Sequence, residues 1–103
     1  MNGNEELQAR GIHPGDDSAS NIANFAKAVL NNRLSVGAIE AFVSASKGSL
    51  EMVSGAVEAN VATNTSINRE SAAQIQQIVD ATKGGALDAN TLTLQLTQIS
   101  TIV

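Results

Sequence analysis

The sequence predicts an all-α protein: an elongated helical hairpin or small helical bundle that completes its core by self-assembly. Three observations lead there. Apolar residues recur at spacings of three and four through most of the chain, which is the period of one helix face. The stretches between carry helix-start residues (Ser, Asp, Asn) and helix-stop residues (Gly, Asn). The apolar fraction is 43%, yet Ala supplies 16 of the 103 residues and Phe only 2, with no Trp or Tyr. So little bulky apolar surface makes a thin core for a lone domain of this size. Small residues pack best where backbones approach closely over long contacts, so neighbouring copies are expected to supply the missing area.

Composition removes several function classes. Without Cys there are no disulfides, thiolate zinc sites, iron–sulfur clusters or thiol nucleophiles. A single His excludes a multi-histidine metal site. Six basic against ten acidic residues, a net charge of −4, argue against a phosphate-binding surface, so no nucleic-acid partner is expected. No apolar run approaches the ~20 residues of a membrane helix, so no membrane span is expected.

Residues 1–17 read as a flexible acidic arm. Glu5, Glu6, Asp16 and Asp17 charge it, Gly11, Pro14 and Gly15 break it, and Leu7 and Ile12 are too sparse to anchor it. It lacks the apolar stretch of a secretory signal. Residues 18–103 read as the helical assembly domain. Its first helix starts near Asp17 or Ser18, presents Ile22, Phe25, Ala26, Val29 and Leu30 on one face, and ends at Asn31–Asn32. The longest helix is expected over residues 35–62, capped by Ser35. Val36, Val43, Leu50 and Val57 fill one heptad position along it, and Ile39, Ser46, Val53 and Asn60 fill the other. The apolar members (Val36, Ile39, Val43, Leu50, Val53 and Val57) form the expected assembly seam. Gly37, Ala41, Ala45, Gly48, Gly55, Ala56, Ala59 and Ala62 keep its flanks low. A further helix begins at Ser66 or Asn68, buries Ala72, Ile75, Ile78 and Val79, and stops at Lys83-Gly84-Gly85. The last segment reads two ways. Leu92, Leu94 and Leu96 alternate as in a strand; Leu92, Leu96, Ile99 and Val103 follow a helix capped by Asp88. Helix is favoured, because a lone strand would have no partner within the chain.

No motif supports an enzyme, cofactor or small-molecule substrate. His13 precedes Pro14 with only Asp16 and Asp17 near it, and reads as an exposed side chain. The Gly pairs match no phosphate loop, and the serines have no base at a meaningful spacing. The acidic pairs lack the oxygen ligands of a calcium loop. Glu51 and Glu58 are different. Seven residues apart, they share a face beside Leu50 and Val57. In a tight assembly they would approach their own copies, which raises carboxyl pKa values and makes the assembly respond to acid. They are the candidate pH-responsive residues.

Ser49-Leu50-Glu51-Met52, then Ala56-Val57, Ala59-Asn60, Asn64 and Asn68, lead into Ala72, Ala73, Gln74, Gln77, Ile78 and Val79. This progression, with Phe42 ahead of it, resembles the central region of R-body (refractile-body) structural proteins over roughly residues 36–80. The resemblance implies a bacterial cytoplasmic protein that polymerises, with copies of itself and related subunits, into a rolled ribbon. Such ribbons extend when the pH falls and are associated with a killing trait against a host that ingests the bacterium. Two other readings of the residues stay open. One is a helical filament or needle-like subunit secreted without a cleaved signal peptide. The other is a small helical binding module that orders on meeting its partner.

Overall fold

Side-chain caps begin four of the six described helices in the computed structural model, which describes residues 2–46, 50–83 and 88–102. Helix α1 spans Gly3–Ala9, α2 Ala19–Leu30, α3 Val36–Ala45, α4 Leu50–Thr63, α5 Arg69–Lys83 and α6 Ala89–Ile102. No strand occurs among the described residues.

The first correction concerns the segment read as a flexible arm, which begins as a helix with both ends capped. Asn2 Oδ1 accepts from the Glu5 backbone N–H at 2.9 Å, and Asn2 Nδ2 donates to Glu5 Oε1 at 3.2 Å. At the other end Gly11 takes φ 75°, Ile12 N donates to Leu7 O (2.9 Å) and Gly11 N to Gln8 O (3.0 Å). This is the Schellman arrangement, and its apolar pair is Leu7 and Ile12. Both are buried, at 0% and 2% exposure. Gly11 therefore ends a helix where the sequence suggested a hinge, and the two sparse apolar residues lie five apart because the motif joins them. Downstream, His13-Pro14-Gly15-Asp16 forms a turn closed by Asp16 N donating to His13 O at 3.2 Å, with Gly15 at φ 86°.

Helix α2 buries Ile22, Phe25, Ala26, Val29 and Leu30, as its period predicts. It also buries Asn21, whose amide holds the preceding turn. Asn21 Oδ1 accepts from His13 N at 2.9 Å, while Nδ2 donates to His13 O at 2.9 Å and Asp16 O at 2.7 Å. The helix ends at the expected asparagines. Asn32 adopts φ 52°, and Arg33 N and Asn32 N donate to Ala28 O and Val29 O. Asn is the non-glycine residue that best tolerates this backbone.

The second correction concerns the helix expected over residues 35–62. Ser35 caps α3 as expected, its Oγ accepting from Ala38 N at 3.2 Å. The helix then ends at Ala45, with Ser46 in extended backbone at ψ 123° and its hydroxyl turned back onto Phe42 O at 3.0 Å. Such Ser back-bonding competes with continuation of the helix. The heptad pattern thus spans two helices, and Gly48 lies outside the described residues. Asn68 begins α5, its Oδ1 accepting from Ser71 N at 2.8 Å. Asp88 begins α6, its Oδ1 accepting from Thr91 N at 2.7 Å. Helix α6 settles the ambiguous C-terminal segment: Leu92, Leu96 and Ile99 are buried, while Leu94 is 67% exposed. Gly84 and Gly85, read as a stop, lie outside the described residues, as does Val103.

Helix α2 packs on α4 and α6, α1 on α3, α3 on α6, and α5 on α4 and α6. At the centre Phe25 and Phe42, the two aromatic residues of the chain, stack with ring centroids 3.9 Å apart and planes 10° apart. Among the described residues, nineteen apolar ones, these two included, form one buried cluster that draws on every helix and on Ile12 and Leu34 between helices. The Cα radius of gyration is 12.3 Å, close to the ~13 Å of a compact chain of about 100 residues. The thin core anticipated from composition is closed inside one chain, because short helices, α1 among them, surround it on several sides.

Candidate interaction surface

The six seam residues do not share an outward face. Ile39, Val43, Val53 and Val57 are each 1% exposed and belong to the chain's own core. Leu50 is half-buried against that core. Only Val36 stands out, at 54% exposure. The break after Ala45 lets α3 and α4 fold so that both halves of the heptad pattern face inward. The stripe marks a core, and the pattern cannot distinguish that from a seam between copies, since both need the same apolar period.

Glu51 is exposed on the first turn of α4. Glu58 is half-buried two turns later, with Gln76 Nε2 of α5 donating to its Oε2 at 3.5 Å; the same Gln76 nitrogen donates to Asp80 Oδ1 at 2.9 Å. Glu58 therefore faces a neighbouring helix of its own chain. His13 is exposed, as expected, although its backbone is held by Asn21.

The clearest carboxylate geometry is one that sequence reading missed. Glu6 on α1 reaches the start of α3: Ser35 N donates to Glu6 Oε2 at 2.9 Å and Ser35 Oγ to Glu6 Oε1 at 2.7 Å. A negative charge is thereby placed at the positive end of α3. The two Ser35 hydrogen bonds hold the Glu6 carboxyl below its ordinary pKa, with Arg10 adding a smaller attraction. Asp16 and Asp88 are likewise lowered, by hydrogen bonds from Ser18 and Thr91 respectively. Nothing local pairs Glu6 with Ser35, which are 29 residues apart.

Elsewhere on α3, an open groove of about 410 Å³ runs between α3 and α6. Val36, Ala89 and Leu94 supply its apolar lining, Ser44, Thr93 and Thr97 its uncharged polar lining, and Glu40 its one charge. Val36 and Leu94 are two of the three large apolar residues that remain exposed among those described; Met52, at 44%, is the third. The groove could not be read from sequence because α3 and α6 are far apart in the chain. The only trace was Leu94, apolar on the wrong side of its helix.

No cluster of three or more His, Asp or Glu that could hold a metal occurs among the described residues. None of the described helices is long and apolar enough to cross a membrane. No protein-family model, curated protein or solved structure matches the chain. Fold and surface of the described residues therefore define its class: a small helical bundle whose α3–α6 groove is open and mostly uncharged.

Proposed function

We propose that this protein is a non-catalytic structural subunit that assembles with copies of itself, as the ribbon proteins it resembles do, and that copies meet through the α3–α6 face. One observation carries the reading: the same face holds a projecting apolar side chain, Leu94 at 67% exposure, and an open recess beside it. A face with both a projection and a hollow can pair with itself about a two-fold axis, each Leu94 entering the partner's groove. Most of the lining is uncharged, which lowers the cost of removing it from water. Of the seam proposed from the heptads only Val36 takes part; Ile39, Val43, Val53 and Val57 lie in the core and Leu50 is half-buried against it. On the same reading the polymer forms an inclusion in a bacterial cytoplasm, or, in the alternative, a secreted filament. Fractionating cells and medium separates those two addresses.

Sedimentation across a wide concentration range, with negative-stain microscopy of the same samples, tests the assembly. Growth beyond the 10.6 kDa subunit that is lost in the double variant Val36→Lys/Leu94→Lys supports the reading. A chain that stays monomeric at the highest attainable concentration and forms no particles overturns it. The closed core favours a small helical binding module as the second reading, and that result selects it.

A further inference from the structure

Asn2 and Gly3 form the single Asn–Gly pair of the chain. The structure requires both residues. Asn2 caps α1 through its side-chain oxygen. Gly3 lies against α3 where a Cβ would collide with the Gly37 backbone carbonyl and crowd Ala41. No larger residue can follow Asn2 without shifting the helix crossing. Packing has thus placed the most easily cyclised dipeptide in proteins where Asn2 is exposed and Gly3 is half-buried.

We propose that Asn2–Gly3 is a site of spontaneous deamidation, and that the docking of α1 sets its rate. The chemistry needs only water. The Gly3 backbone nitrogen attacks Asn2 Cγ, forming an N–Cγ bond. The Cγ–Nδ2 bond breaks, and ammonia leaves carrying the proton from the Gly3 nitrogen. Water then opens the cyclic imide at either carbonyl, giving aspartate or isoaspartate at position 2. The docked helix opposes the first step. Asn2 is held at φ −82° and ψ 172°, its Oδ1 accepts from Glu5 N, its Nδ2 donates to Glu5 Oε1, and its carbonyl accepts from Glu6 N at 3.0 Å. Ring closure must disrupt this turn. The turn is in turn held down by the Glu6–Ser35 hydrogen bonds and by buried Leu7. Once isoaspartate forms, the backbone gains a methylene between the cap and Gly3, so the cap and the Gly37 contact cannot both persist. Modification therefore loosens α1 irreversibly.

The full chain is incubated at mildly alkaline pH, folded or in urea, and isoaspartate at position 2 is followed by peptide mapping with mass spectrometry. Folded protein is expected to convert at least about tenfold more slowly than the unfolded chain, because only locally opened molecules react. Glu6→Ala is expected to raise the folded rate toward the unfolded one. Ser35→Ala, which removes the hydroxyl donor to Glu6, repeats the test should Glu6→Ala lose its helical circular dichroism. Equal rates in the folded and unfolded chain overturn the proposal, as does absence of conversion in urea. A folded rate unchanged by both substitutions overturns the gating by α1.

Discussion

Glu6 shows how one side chain can join two elements that are distant in sequence. Its carboxylate takes both hydrogen bonds that Ser35 offers, at the end of α3 where negative charge is favoured. Because the folded state lowers its pKa, its stabilising contribution is fully present above the ordinary value of 4.5 and is lost as pH falls through the folded value. Asp16 and Asp88 act in the same direction from 3.8. Stability should therefore decline on acidification through and below the ordinary carboxylate range, and Glu6→Gln should flatten that decline in urea titrations at successive pH values. Ser35→Ala removes both a cap and the hydroxyl bound by Glu6, and should cost about 1–2 kcal/mol by the same measurement. Asn21→Ala strands the His13 N–H and two carbonyls in a site where Asn21 is 4% exposed, at a cost of about 2–3 kcal/mol. Glu51 and Glu58 lie on α4, outside the residues that line the α3–α6 groove, and Glu58 faces α5 of its own chain, so replacing both by Gln should leave association unchanged in sedimentation.

Among the elements, α2 and α5 were legible because each carries its apolar period and a start signal within one short window, whereas α6 read as helix or strand and only the burial of Leu92 and Leu96, with Leu94 exposed, decides it. Helix α1 was equally well marked, by Asn2 and Glu5 at one end and Gly11 at the other, but the signals lie in a glycine-rich acidic context that suggests an arm. What tells against the arm is the joint burial of Leu7 and Ile12, which needs α3 beneath them. At the crossing of α1 on α3 it is Gly3 that must be small, whereas a Cβ at Gly37 would meet only Ser35 Oγ, at 3.8 Å. Gly3→Ala should accordingly destabilise by about 1–3 kcal/mol through overpacking against backbone, read by thermal unfolding. The helix expected over residues 35–62 failed at Ser46, where one hydroxyl–carbonyl bond and an extended backbone interrupt a pattern that looks continuous. On α6, Leu94 lies two residues from each of two core leucines, and that offset turns it outward.

At the scale of the molecule, the stacked pair Phe25–Phe42 carries a large share of the bulky apolar volume, so Phe42→Ala should cost about 3–5 kcal/mol and broaden thermal unfolding. Val36→Lys/Leu94→Lys should leave that transition in place while altering only association, since both side chains lie outside the core. The amino-acid sequence by itself determined the helical class, most helix boundaries, the apolar faces and the absence of thiol chemistry, because these follow from local period, capping and composition. Tertiary structure alone decided that the apolar heptad pattern belongs to the core, that Glu6 meets Ser35, and that a groove opens between α3 and α6. Each of those joins residues distant along the chain, and a burial pattern states only that a face must be covered, not whether the same chain or another copy covers it.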